Sequence, residues 1–168
     1  SQTPQGIVAV VQKEEVGQVD FSQGKFLFLE DVQDPGNVGT IIRTADAAGF
    51  TGVIVSDKSA DIYSLKTLRS MQGSHFHLPI YRMSSQALLD EAKEAGISVL
   101  ATTLSKDSKD YRDLPHLDQF VLVMGNEGQG ISPLMAKSAD QLVHISMKGQ
   151  AESLNVAVAA GILIFHLS

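Results

Sequence analysis

Phe26-Leu27-Phe28-Leu29-Glu30-Asp31-Val32-Gln33-Asp34-Pro35-Gly36-Asn37-Val38-Gly39-Thr40-Ile41-Ile42-Arg43 reads as a strand, a turn and the start of a helix. The run Phe26–Glu30 is apolar without alternation, as expected for a strand covered on both faces. Asp-Pro-Gly supplies turn chemistry. Asn37 then stands where an N-cap residue covers the first free N–H groups of a helix. Arg43 lies six positions on and is expected to return towards the face of Asn37. Asp46, three residues further, could pair with it. A capped helix with a solvated arginine explains these residues as well as a site does. The C-terminal edge of a parallel sheet, where α/β proteins place ligands, keeps the site reading open.

Outward from this unit, short β-branched runs alternate with stretches of helical length, the pattern of βα units around a parallel sheet. The expected strands are Ile7–Val11, Phe26–Glu30, Val53–Ser56, Phe76–Ile80, Ser98–Thr102, Phe120–Met124 and Leu142–Ser146. The expected helices are Val38–Ala48, Ser64–Met71, Gln86–Ala95, Pro133–Ala139 and Leu154–Leu167. Gly49 and Gly96 stand where left-handed residues end helices. Ser132 before Pro133 reads as an N-cap with proline at N1. The fold class is α/β, and residues 7–168 form one domain. Residues 1–6, Ser-Gln-Thr-Pro-Gln-Gly, read as a linker from a preceding RNA-binding domain.

A chain of 168 residues buries roughly 70% of its unfolded surface and needs no covalent staple. The absence of cysteine excludes a disulfide framework, a thiolate nucleophile and a cysteine-based zinc site. It fits a reducing compartment, and the expected location is the cytoplasm. No apolar run reaches the roughly 20 residues of a membrane span, and no metal site is expected. The net charge of −6 opposes nucleic-acid binding by the domain as a whole. A local basic patch, or a segment outside these residues, would have to supply the phosphate contacts.

Two further segments carry chemistry. Phe120–Met124 runs into Gly125-Asn126-Glu127-Gly128-Gln129-Gly130. The spacing is not G-x-G-x-x-G, and no acidic residue follows a second strand about 20 residues on, so this is no dinucleotide fingerprint. The glycines indicate backbone that bends sharply or is approached closely, either for a ligand or for a plain turn. Glu127 could accept hydrogen bonds or hold a cation there. The other segment is Leu142–Met147, the loop Lys148–Glu152, and Ser153-Leu154-Asn155 at the head of an apolar helix. Ser153 is the expected N-cap. Asn155, spared from capping, suggests a side chain oriented towards a ligand.

The three segments, in this order, resemble the three motifs of the SpoU (TrmH-like) methyltransferases of the SPOUT superfamily. The first is Asp34-Pro35-Gly36-Asn37-Val38-Gly39, Arg43 and Asp46-Ala47-Ala48-Gly49. The second is Val123–Gly130, and the third is Ile145-Ser146-Met147 followed by Ser153-Leu154-Asn155-Val156. Ser70-Met71-Gln72-Gly73-Ser74 and Leu78-Pro79 add smaller echoes. Ser146 departs from a common proline, and Ala157 from a frequent serine.

The resemblance implies a Rossmann-like parallel sheet with helices on both faces, closed by a deep C-terminal trefoil knot. It implies S-adenosylmethionine as cofactor, RNA as substrate and a homodimer whose active site is completed across the interface. The implied cofactor residues are Thr102, Leu104, Met124, Gly125, Asn126, Gly128, Ile145, Met147 and Leu154. The implied catalytic set is Asn37, Arg43, Glu127, Ser153 and Asn155. The implied reaction is methyl transfer to a ribose 2′-hydroxyl, of ribosomal more than transfer RNA. An arginine is a poor base because guanidinium holds its proton, so Arg43 is read as a phosphate clamp or an oxyanion stabiliser. Asn37 would orient the ribose or Arg43, Glu127 would fix the arginine or the loop, and Ser153 with Asn155 would hold the acceptor. The competing readings are a knotted domain that binds RNA or cofactor without transfer, and methylation of a base.

Overall fold

The computed structural model describes residues 9–13 and 15–168. Among the described residues, seven parallel strands form one sheet: β1 (Lys25–Leu29), β2 (Gly52–Val55), β3 (Ile80–Arg82), β4 (Ser98–Thr102), β5 (Lys109–Asp110), β6 (Phe120–Met124) and β7 (Gln141–His144). Their spatial order is β3-β2-β1-β6-β4-β7-β5. Five helices cover it: α1 (Pro35–Ala47), α2 (Leu65–Met71), α3 (Ser85–Ala95), α4 (Pro133–Ser138) and α5 (Val156–Leu167).

The unbroken apolar strands follow from cover on both sides. Leu27 and Leu29 of β1 face a core shared with α1 and α5, whereas Phe26 and Phe28 face a second core shared with α3 and α4. β6 divides likewise, with Phe120, Leu122 and Met124 on one side and Val121 and Val123 on the other. Each such side chain contributes about 1.5–3 kcal/mol on burial. α1 and α2 pack closely because residue 39 is glycine. A Cβ there would stand 2.5 Å from Ser70 Cβ and 2.6 Å from the Thr67 carbonyl oxygen.

The α/β class and the parallel sheet agree with the sequence reading, and five elements differ in detail. Of the expected strand Ile7–Val11, Ile7 and Val8 lie outside the described residues, as does the 1–6 linker, and Ala9–Val11 have no regular structure. The expected strand Phe76–Ile80 is split. Ser74–Phe76 forms a 3₁₀ turn with Phe76 exposed, and pairing begins only at Ile80, after Pro79, which has no N–H to donate. β5 carries no apolar signal in the sequence, because both of its residues are charged. α1 starts at Pro35 and is capped by Asp34, not by Asn37. α5 starts at Val156 and is capped by Asn155, not by Ser153. Gly49, Gly96 and Ser132 end or cap their helices as the sequence indicates. No helix among the described residues is long and apolar enough to cross a membrane.

Candidate active site

Neighbouring strands β6, β4 and β7 all deliver their C-terminal ends to one edge of the sheet. The loops leaving them surround a cleft of about 580 Å³. Thr102, Leu104, Met124, Gly125, Asn126, Gly128, Ile145, Met147 and Leu154 all line it. Glu127 and Ser153 line it as well. So do Thr103, Ser105, His144 and Glu152, which carry no motif signal and were not singled out from the sequence. Size alone does not select this cleft. A larger one of about 730 Å³, between the segment 15–19 and β3, includes Tyr63 and Arg82 in its wall but no motif residue.

The turn before α1 is wired by carboxylates. Asp34 caps the helix through Oδ1, which accepts the Asn37 N–H at 2.9 Å, while Oδ2 meets Lys66 Nζ at 3.1 Å. The Asn37 N–H and then Lys66 hold the Asp34 carboxyl below its ordinary value. Because Asp34 takes the cap and Pro35 the first helical position, Asn37 keeps its side chain free. Its amide donates to Glu127 Oε1 at 3.3 Å, and its Oδ1 accepts from Asn155 Nδ2 at 3.1 Å. Residues from all three sequence motifs thus meet in one chain of hydrogen bonds. Asn155 also caps α5, its Oδ1 accepting from Ala157 and Val158 at 2.8 and 3.3 Å.

Glu127 further accepts the backbone N–H groups of Gln33 and Asp34, at 3.1 and 3.0 Å. Partial burial pushes its carboxyl up. The N–H groups of Asp34 and Gln33, with the Asn37 amide, outweigh that and leave it below the ordinary carboxylate value. Within the chain Glu127 thus binds the turn before α1, and no contact joins it to Arg43. The glycine-rich loop is closed by paired backbone bonds between Asn126 and Gly130, at 3.0 and 2.9 Å. The closure is tight. A Cβ on residue 125 would lie 2.4 Å from the Gly130 carbonyl carbon and from the Ile131 nitrogen. Asn126 Nδ2 donates to the Asp31 carbonyl at 2.8 Å. Buried Glu30, 2% exposed, accepts the Ser132 N–H and hydroxyl at 2.8 and 2.7 Å, and the Ser85 hydroxyl at 2.6 Å.

Three sequence expectations fail here. Ser153 caps nothing and stands exposed at the cleft. The Arg43–Asp46 pair does not form, since Asp46 Oδ2 faces His77 Nδ1 at 3.3 Å. Arg43 is exposed on α1, and its side chain has no hydrogen bond or ion pair among the described residues. Helix geometry explains the separation: six residues fall about 120° short of two full turns, so Arg43 does not return to the face of Asn37.

A profile of the SpoU rRNA Methylase family matches residues 24–165. The 23S rRNA (guanosine(2553)-2′-O)-methyltransferase RlmP of Bacillus subtilis is 45% identical over 99% of this chain and 66% of its own length. The crystal structure of an AdoMet-bound rRNA methyltransferase from Sinorhizobium meliloti superposes with a TM-score of 0.81 at 42% identity, over 85% of this chain and 55% of that one. The SpoU methyltransferase AviRb from Streptomyces viridochromogenes, in complex with AdoMet, gives 0.78 at 37% identity, over 89% and 60%. The chain therefore spans less than two thirds of the length of each of these relatives.

Proposed function

The chain belongs to the SpoU rRNA methylase family, and we propose that it transfers a methyl group from S-adenosylmethionine to a ribose 2′-hydroxyl of RNA, ribosomal RNA before transfer RNA. The observation that carries this reading is that the second and third motifs line one cleft and the first is joined to both of them by the Asn155–Asn37–Glu127 hydrogen bonds. A domain that only bound RNA would have no need to orient two polar amides beside a cofactor-sized cleft. The similarity to RlmP favours ribosomal RNA as substrate and the bacterial cytoplasm as location.

The residues present fit the cofactor. The cleft volume falls in the usual range of a few hundred to about 1,000 Å³. Leu104, Ile145 and Leu154 offer apolar walls for an adenine, and Glu152 offers negative charge for the cationic methionine end. The cofactor, when bound, supplies an electrophilic methyl. The protein's own part is alignment and charge. Asn37, held from both sides by Glu127 and Asn155, orients the ribose at the mouth of the cleft. Alignment of this kind contributes several kcal/mol. Arg43 steadies the phosphate or the developing oxyanion.

Arg43 performs that task across a homodimer. α5 is apolar at every position except His166, yet Val158 and Phe165 are 53% and 58% exposed. A helix apolar all round belongs in an interior, and a second copy of this chain is the cover proposed. In the dimer, Arg43 of one protomer serves the cleft of its partner. The C-terminal segment between β7 and α5 forms the trefoil knot, in keeping with the return of α5 from the far side of the sheet to pack on α1.

The test is methyl transfer from labelled cofactor to purified ribosomal and transfer RNA, followed by nuclease digestion. Label in nuclease-resistant dinucleotides supports ribose methylation. Label on a base, or cofactor binding in calorimetry without transfer, sinks it. Phe165→Glu is expected to turn a dimer into monomer in sedimentation and to abolish transfer.

A further inference from the structure

One cluster beside the cleft takes no part in the reaction described above. Asp110, at the end of β5, has a side chain only 12% exposed. Arg112 grips it with two N–H groups, Nε on Oδ1 at 2.8 Å and Nη2 on Oδ2 at 2.9 Å. The Ser146 hydroxyl donates to the same Oδ2. His144 Nε2 stands 3.2 Å from Ser146 Oγ and 4.0 Å from Asp110 Oδ2, and His144 Nδ1 stands 2.9 Å from Ser108 Oγ. Arg112 first, and Ser146 after it, hold the Asp110 carboxyl far below the ordinary range, so it is a permanent acceptor at neutral pH.

The cluster adds a side-chain tie between two cleft-lining segments that β7 already joins through its pairing with β4 and β5. One is the segment between β4 and β5, which gives the cleft Thr103, Leu104 and Ser105. The other follows β7 and gives it Ile145 and Met147. Among the described residues, Met147–Leu154 make no hydrogen bond of any kind. The side chain of Ser146 is therefore the last anchor before that stretch begins, and it belongs to the position at which this sequence departs from the family's common proline.

We propose that Asp110 is a positioning residue for the cofactor: through Ser146 it fixes the start of the unbonded loop, and so sets how Ile145 and Met147 meet S-adenosylmethionine. The proposal rests on the cofactor assigned above. Neither Asp110 nor Ser146 is placed near the methyl acceptor, so their loss weakens binding and spares the chemical step.

The experiment is calorimetric titration of the chain with S-adenosylmethionine, paired with steady-state kinetics. Asp110→Ala is expected to raise the cofactor Kd about tenfold, the weight of one charge-assisted hydrogen bond, with kcat at saturating cofactor unchanged. Ser146→Ala should do the same, and the double variant should be no worse than Asp110→Ala, because the Asp110–Ser146 contact is already lost there. Ser146→Thr, which keeps the hydroxyl, should bind as the wild type does. Wild-type Kd in both single variants, additive losses, or a fall in kcat without a rise in Kd would each overturn the proposal. Ser146 is exposed, so Ser146→Ala keeps the test sound even if Asp110→Ala lowers the Tm. A wild-type chain that bound no cofactor would overturn the functional reading, and this proposal with it.

Discussion

The loops Gly125–Ser132 and Ile145–Ser153 line the same cleft and are built in opposite ways. The first is held at almost every step. Asn126 and Gly130 pair through their backbones, the Asn126 side chain reaches Asp31, Glu127 takes two N–H groups from the turn before α1, and Ser132 is tied to buried Glu30. The second is held only at its ends, by Ser146 on Asp110 and by the capping residue Asn155 on Asn37. The difference teaches a division of labour. A wired loop keeps its geometry before any ligand arrives and suits the groups that must align a reaction. A loop fixed at two points can adjust to a ligand, at the cost of ordering it on binding. On the proposed function, alignment falls to the first loop and cofactor capture to the second.

Variants on the two sides should therefore fail in different ways. The largest effect is expected at Arg43, which no contact within the chain replaces. Arg43→Ala should lower kcat about a thousandfold, near 4 kcal/mol of transition-state stabilisation, and leave cofactor affinity intact in calorimetry. Full methyl transfer by a variant that still bound cofactor would remove Arg43 from the mechanism. Glu127→Gln should come next. It replaces a carboxylate that accepts from two backbone N–H groups and from Asn37, each bond to a charged group being worth about 1.5–3 kcal/mol. The expected loss in kcat is on the order of a hundredfold, and single-turnover kinetics would read it. A variant that lost only cofactor affinity would break the proposed division between the loops.

Gly125→Ala tests the rigidity of the wired loop directly. Its methyl would stand 2.4 Å from two backbone atoms, so the loop must open, at a cost of about 1–3 kcal/mol. A lower Tm with kcat at saturating cofactor lowered about tenfold is expected. Gly149→Ala, in the other loop, meets nothing within 4 Å and should change neither. Equal damage from the two substitutions would show that the loops are equally constrained.

The smallest effect is a slope in stability with pH. Glu127 and Asp34 both titrate lower in the fold than at their ordinary values of 4.5 and 3.8. The stability they contribute is complete above those values and is lost as the pH falls through the lower, folded ones. Thermal melts from about pH 7 to about pH 3 should show this loss, and Glu127→Gln should flatten it. An unchanged slope in the variant would take Glu127 out of the balance.

Much of the fold was legible in the chain. The apolar runs Phe26–Glu30, Ser98–Thr102 and Phe120–Met124 mark their strands to within a residue because cover on both faces leaves no polar position inside them. Gly49, Gly96 and Ser132 punctuate their helices through local backbone chemistry that depends on no distant residue. β5 was illegible, since two charged residues pair as a strand only because β7 lies beside them. The caps were misassigned for a related reason. Asn37 and Ser153 are competent caps by type, and only the structure shows Asp34 and Asn155 in those positions.

By itself, then, the amino-acid order determined which segments become strands and helices, and which three motifs carry polar groups to the strand ends. These follow from local backbone preferences and from the hydrophobic periodicity of each segment. The tertiary structure alone decided that Glu127 would hold Gln33, Asp34 and Asn37, and that Asp110 would reach Ser146. Those contacts join residues 36 to 94 positions apart. No local preference encodes such separations, because the partners meet only after the sheet has set its strand order.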